Sequence, residues 1–553
     1  MAEDRDCGVR YLRWLWHNTL GVRGNIFLRI IVGVGQVSLA LLMVWLCRYF
    51  IDVAIRGTSS EVLVTTICEL VLVVAGNIAL RQLYFYMTIR ATAYQSNAVR
   101  LRIFGHLLRR RIYDDAPLHS GDITSRLETD VSAISEAVAG TLPQLVVTTA
   151  KLTGAFVLLY SMDRQLAWML LLSTPFLVVM GKLFAFRLRT MTHDVRQQDS
   201  RIQMLVQEGM EHNAMLRVME SGSWLTSQLD GMQQGLLSKI ERRTRFTLAA
   251  RTVMAVCFGF GYLLAFVWGG LQLRDGVITF GVMTAFLQLV AQIQHPILDL
   301  LNMVPQLIHA SASVDRLEEL EGKDAEQEML HTRLLTDRLG VSVKGVSYRY
   351  QQDKRQVLRE FSHDFLPGSR TALMGETGAG KTTLFRMMLA LITPQEGGIE
   401  VYDSQEWVPV ASETRRNFVF VPQGNTLMSG TVRYNLQLAC PQATEEEMRH
   451  VLHVAVADFV FDLPQGLDTP CGERGMGFSE GQAQRIAIAR GLLRPGGVLL
   501  LDEISASLDE QTERELFTRL FAAYADKTII LITHRSTVAQ LCDAVVRIPR
   551  LSD

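Results

Sequence analysis

Six long apolar stretches, near residues 25–50, 61–86, 138–160, 165–186, 248–272 and 277–304, dominate the first 305 residues of this chain. A helix needs about 20 mostly apolar residues to cross a bilayer, and each stretch supplies them. One such run could be a core helix of a soluble protein. Six in succession predict an all-α transmembrane domain.

The loops between them predict an orientation. The segment 89–137 carries Arg90, Arg100, Arg102, Arg109, Arg110, Arg111 and Arg126. The segment 187–245 carries nine basic residues, whereas the three alternate loops hold only Arg56, Arg164 and Arg274. This is a positive-inside asymmetry, so both termini are expected in the cytoplasm. The two basic segments keep apolar residues at three-to-four spacing, for example over 92–111 and 200–218, and predict helices that continue past the bilayer. The opening MAEDRDCGVRYLRWLW has no basic n-region or small-residue cleavage site. It is expected to lie as an amphipathic helix on the membrane surface. The seven cysteines show neither paired nor metal-binding spacing and are expected to be ordinary buried thiols. A net charge of −1 gives no sign of a nucleic-acid partner.

Charge rises over 314–338, and beyond it strands alternate with helices. The expected organisation is a transmembrane domain over 1–315, a linker over 316–338 and an α/β P-loop ATPase domain over 339–553. There the strand RTALM runs into Gly375-Glu376-Thr377-Gly378-Ala379-Gly380-Lys381-Thr382-Thr383, which is GxxxxGK[ST] between a strand and a helix. Glycines let consecutive backbone N–H groups converge on phosphate oxygens. Lys381 can reach the β/γ phosphates, and the Thr382 hydroxyl can bind Mg²⁺.

Three further strands end in polar residues. VLLLDE (498–503) ends in Asp502, expected in a Mg²⁺ shell, and Glu503, placed to polarise the attacking water. KTIILITHR (527–535) presents His534, and FVFVPQG (418–424) presents Gln423. Parallel sheets bind ligands at these carboxyl ends. The expected catalytic residues are therefore Glu503, His534 and Gln423, and the expected metal ligands Thr382, Gln423 and Asp502.

The motifs GETGAGKTT, VPQG, FSEGQAQR, VLLLDE, SASLD and ITHR, in this order, resemble the Walker A, Q-loop, signature, Walker B, D-loop and H-loop of an ATP-binding cassette. Upstream, 120–131 resembles the first cytoplasmic loop of ABC exporters and 276–290 their sixth helix. The resemblance covers almost the whole chain and implies an exporter-type half-transporter that binds ATP and Mg²⁺. It adds Tyr350 as the residue that stacks adenine, and Ser479, Gly481, Gln482 and Asp509 as nucleotide contacts. In this family each ATP lies between one chain's Walker A and the other's signature. The expected partners are a second copy or a related half, the lipid bilayer, and a small-molecule, lipid or peptide substrate. The expected location is the bacterial cytoplasmic membrane.

Two departures stand out. The signature has Phe478 for the usual leucine and Glu480 for the first glycine, and the D-loop reads Ala506-Ser507-Leu508-Asp509 rather than SALD. Ser479 and Gln482 form an S-x-x-Q capping box, which makes Glu480 the first helical residue. An exposed carboxylate is favourable there, so Glu480 is expected to be tolerated rather than inhibitory.

The implied activity is ATP-driven export, with cytoplasmic loops near 113–121 and 207–218 transmitting cassette closure to the helices. The alternatives are a nucleotide-gated channel on the same fold and a soluble cassette ATPase, which six apolar stretches disfavour. An importer is disfavoured because membrane and ATPase parts share one chain. Glu69 and Lys151 are ionisable residues within apolar stretches at matching depths, and they are expected to be able to pair.

Overall fold

The computed structural model describes residues 23–57, 59–109, 120–322, 332–350, 356–424, 426–472 and 477–551. The expected N-terminal surface helix and the loop 113–119 lie outside them. The described residues form two compact units, one helical and one carrying the sheets.

The helical unit contains six long helices: Arg23–Ile55, Ser60–Arg109, Gly121–Met162, Arg164–Glu211, Gly222–Arg274 and Phe280–Glu321. The first, second, third and fifth are long and apolar enough to cross a membrane. The sixth carries Gln288, Gln292, Gln294 and His295 along its apolar run, so on hydropathy alone it falls below the other four. It is the most deeply packed helix, lying against the first, third and fifth with Phe286, Leu289 and Val290 wholly buried; Gln294 is buried with them, whereas Gln288 and His295 are exposed. It also contains Pro296 and Pro305. Each removes a backbone hydrogen bond and makes a point where the helix can bend. The third helix is interrupted by π-helical turns at Arg126–Asp130 and Ala137–Thr141.

Two aspartates tie the bundle together at its short loops. Asp163 accepts from the Leu166 N–H at 2.9 Å, capping the fourth helix, and also from Trp268 at 3.1 Å and Gln272 at 2.7 Å on the fifth. Asp52 accepts from the Thr279 hydroxyl at 2.8 Å and the Gly281 N–H at 3.0 Å, joining the first helix to the sixth. Gly281 is required there, because a Cβ would collide with the Arg48 carbonyl.

Two expectations meet corrections. Glu69 is exposed and Lys151 half-buried, and no ion pair joins them among the described residues. Matching depth fixes height along a helix but not which face a side chain takes, and the second and third helices meet instead through Tyr84 and Gln144 at 2.9 Å. The sixth helix also runs to Glu321, into the segment expected as linker. Its end is held by Arg316 to Asp130, Arg126 to Glu319 at 2.8 Å and Arg102 to Glu321 at 2.8 Å.

In the second unit β3 (Arg370–Met374), β6 (Phe418–Val421), β9 (Val498–Asp502), β10 (Thr528–Ile532) and β11 (Ala544–Arg547) form a parallel sheet in the order β11-β3-β10-β9-β6. Every residue of β9 and β10 is buried, as both faces of a parallel sheet are covered. β1 (Gly340–Arg349), β2 (Gln356–Phe365), β4 (Glu396–Tyr402) and β5 (Trp407–Pro409) form an antiparallel sheet in the order β2-β1-β4-β5, and β7 (Gly430–Thr431) pairs with β8 (Pro470–Cys471). The register aligns Ile532 with Asp502 and Leu501 with Val421. Residues just past these strands, Glu503, Thr533 and Pro422, therefore emerge along one edge.

Candidate ATP site

A cleft of about 530 Å³ opens at that edge, lined by Tyr350, Val357, Thr377 to Thr383, Gln423, Glu503 and His534. The loop after β3 turns into the helix Lys381–Met388 through Gly380, whose φ of +94° is left-handed. A Cβ there would also lie 2.8 Å from Val357 Cγ1, so only glycine lets the loop close on β2. Lys381 Nζ donates to the carbonyls of Gly375 at 2.8 Å and Glu376 at 3.0 Å. Burial lowers the Lys381 pKa, while Glu503 and Asp502 pull it back up. The Tyr350 hydroxyl bonds Thr383 at 3.1 Å and receives Arg386 at 3.1 Å, which fixes its ring at the cleft wall.

Glu503 is gripped from both sides. Gln423 Nε2 donates to its Oε2 at 2.7 Å, and His534 Nε2 meets its Oε1 at 3.0 Å. Its backbone has φ of +44°, a conformation costing a non-glycine residue roughly 1–3 kcal/mol. Its N–H donates to the Ile532 carbonyl at 3.1 Å, and its own carbonyl receives Gln484 Nε2 at 3.3 Å. Ser507 in turn donates its hydroxyl to Gln484 Oε1. This chain from Ser507 through Gln484 to Glu503 is not visible in the sequence. Gln484 lies inside the quoted signature, but nothing in its spacing sets it apart from a core helix residue. Ser507 is one of the two residues by which the D-loop departs from SALD.

Asp502 lies beneath the cleft, almost fully buried. Burial pushes its carboxyl above the ordinary carboxylate value, although Thr382 donates to it. Its Oδ1 has no hydrogen-bond partner among the described residues. A buried carboxylate oxygen without a donor, with the Thr382 hydroxyl beside it and Gln423 lining the cleft above, is a donor set that fits Mg²⁺.

The signature and D-loop residues do not line this cleft. Ser479 caps the helix Glu480–Leu492, accepting from the Gln482 N–H at 3.2 Å, while its N–H donates to Gln482 Oε1 at 3.0 Å. Glu480 is exposed at the helix start. Phe478 packs edge-on to Phe459 at 6.3 Å, so the larger side chain fills space beside the core. Asp509 caps the helix Glu510–Ala523 through Thr512. Gly481 lies against this turn, with a Cβ there only 3.0 Å from the Ser507 carbonyl.

The family model for the ABC transporter transmembrane region matches residues 26–297, and the ABC transporter model matches 358–506. The chain belongs to the ABC transporters. Both parts occur in one chain, the layout of an exporter half-transporter. Among curated relatives, the putative multidrug export ATP-binding/permease protein YgaD of Bacillus subtilis is 25% identical over 535 residues, covering 94% of this chain and 92% of its own. The ATP-dependent lipid A-core flippase of Bordetella avium is 27% identical over 497 residues, covering 86% and 82%. The solved structure of a bacterial Atm1-family ABC exporter with ATP bound shares the fold with a TM-score of 0.78, covering 96% of this chain and 95% of that one at 21% identity. This ABC transporter is thus a membrane protein that binds ATP and couples its hydrolysis to transport.

Proposed function

We propose that the chain exports an amphipathic small molecule, lipid or peptide across the bacterial cytoplasmic membrane as a dimer with two composite ATP sites. The observation that carries this reading is the split of the site. Lys381, Gln423, Glu503 and His534 converge in one cleft, whereas Ser479 and Asp509 of the same chain do not line it. The signature turn then needs a second chain, to which it offers the Ser479 hydroxyl and the backbone N–H of Gly481.

In this reading the loop from Gly375 to Thr383 cradles the phosphates, and Tyr350 stacks the base. Thr382, Asp502 and Gln423 hold Mg²⁺, which neutralises charge on the phosphates when bound. Glu503 takes the proton of the attacking water, held in place by Gln423 and His534. Both termini and the cassette lie in the cytoplasm. The side chains Met215, Val218, Met219 and Trp224, at the turn between the fourth and fifth helices, are apolar and exposed. The names of the relatives, multidrug export and lipid A-core flipping among them, support an amphipathic cargo.

Mixed dimers test the composite site. A Lys381→Ala chain co-assembled with a Ser479→Arg chain has one intact site if the sites are shared between chains, and none if each chain works alone. Hydrolysis above that of either parental homodimer supports the reading, and hydrolysis no higher than theirs overturns it. Stimulation of the purified dimer's ATPase across a panel of amphipathic compounds then identifies the cargo.

A further inference from the structure

Beyond β10 the chain runs Thr533-His534-Arg535 before the short helix Ser536–Ala539. His534 lines the ATP cleft and meets Glu503, whereas its neighbour Arg535 does not line it. The His534 side chain is 45% exposed, so packing does little to fix it. Its reach to Glu503 depends on where the loop that carries it is held.

Arg535 holds that loop from the far side. Its Nη2 donates to the Leu508 carbonyl at 3.0 Å, and its Nη1 meets Glu513 Oε2 at 2.9 Å. Leu508 belongs to the turn before the helix Glu510–Ala523, and Glu513 to the first turn of that helix. The planar guanidinium thus bridges two points of one element through two nitrogens, a fork that the point-like ammonium of lysine does not match. On the near side, the Arg535 N–H donates to Thr533 Oγ1 at 3.0 Å, and the Thr533 N–H donates to the Leu373 carbonyl at 3.3 Å. His534 therefore sits between two anchored residues.

Glu513 is only 3% exposed, and its Oε1 has no hydrogen-bond partner among the described residues. Desolvation offsets most of the attraction in such a buried pair, so the pair adds little net stability. What it fixes is position. The same turn holds Gln484 through the Ser507 hydroxyl, and Gln484 donates to the Glu503 carbonyl at 3.3 Å. One turn thus anchors Glu503 and, through Arg535, the histidine that grips it.

We propose that Arg535 is a positioning residue for ATP hydrolysis: by clamping the Leu508 carbonyl and Glu513 it sets the loop from which His534 meets Glu503. This rests on the reading of Glu503 and His534 as catalytic groups. A misplacement of about 1 Å can cost about a hundredfold in rate.

Position and stability are separated by variants of the full-length protein in nanodiscs. Rates come from single-turnover hydrolysis of radiolabelled ATP, which resolves slow variants, and Tm from a thermal melt. Arg535→Met is expected to lower the rate at least about tenfold. ATP affinity should stay within about twofold of the parent, because Lys381 and the phosphate loop are untouched. Its Tm should fall, since Glu513 is left buried without its cation. Arg535→Met/Glu513→Met removes both charges and should regain the Tm but not the rate. In a His534→Ala background, Arg535→Met should change the rate less than about twofold, because the group it positions is gone.

The proposal is overturned if Arg535→Met hydrolyses ATP within about twofold of the parent. It is equally overturned if the rate returns together with the Tm in the double methionine variant, or if Arg535→Met costs as much without His534 as with it. Hydrolysis by His534→Ala at the parent rate would overturn the catalytic reading itself, and the proposal with it.

Discussion

Removing the Ser507 hydroxyl probes how the cassette holds Glu503, the proposed catalytic carboxylate. Ser507 donates to Gln484 Oε1, and Gln484 Nε2 donates to the Glu503 carbonyl at 3.3 Å. Gln484 is only 3% exposed, so Ser507→Ala leaves a buried amide oxygen without a donor. That loss costs about 1–3 kcal/mol of stability. In a domain of this size each kcal/mol lowers Tm by roughly 2–4 °C. The freed amide also loosens the peptide that holds Glu503 at φ +44°. If about 1–1.4 kcal/mol of that strain is no longer held in the productive geometry, kcat falls roughly five- to tenfold. KM for ATP should stay constant, because Lys381 and the phosphate loop are untouched. Ser507→Thr, which restores the hydroxyl, should recover kcat. The assays are steady-state ATPase of the purified protein in nanodiscs and a thermal melt. A fall in Tm with kcat unchanged would reduce Ser507 to a packing role. A rise in KM at constant kcat would refute the proposed chain of positioning.

Glu480→Gly should alter the ATPase rate less than about tenfold, under roughly 1.4 kcal/mol in barrier, because the carboxylate is exposed at its helix start. A larger gain in steady-state assay would mean that it restrains the site. Burial raises the Asp502 pKa, so on acidification this group takes up a proton at a higher pH than an ordinary carboxylate does. Mg²⁺-ATP affinity should therefore decline as pH falls through that raised value, and in Asp502→Asn this part of the pH dependence should vanish. Binding measured across pH in both proteins decides the point. Asp163→Ala removes a helix cap and the acceptor for Trp268 and Gln272, and should destabilise the bundle by about 2–4 kcal/mol; an unchanged melt would contradict it.

The parts of this molecule that were legible in the sequence are those set by one-dimensional patterns. Apolar length marked the six long helices, and strand-loop-helix punctuation marked the phosphate loop. The Ser479–Gln482 capping box is a local rule, obeyed as written. What stayed hidden depends on azimuth and on contacts across the chain. Glu69 and Lys151 have matching depth, but Glu69 takes an exposed face. Asp52 and Asp163 find partners more than 100 residues away, and no spacing announces them. Ser507 lies in the turn before the helix Glu510–Ala523, and no spacing announces its partner Gln484, 23 residues earlier on the helix Glu480–Leu492.

Hydrolysis by the Glu503→Gln protein tests the central claim most directly. The substitution keeps the shape of a group held at 2.7 Å by Gln423 and 3.0 Å from His534, and removes only its capacity as a base. Turnover should fall at least about a hundredfold, the lower end for loss of a general base, while ATP remains bound in a dimer that no longer resets. ATP hydrolysis by Glu503→Gln near the parent rate would contradict the account.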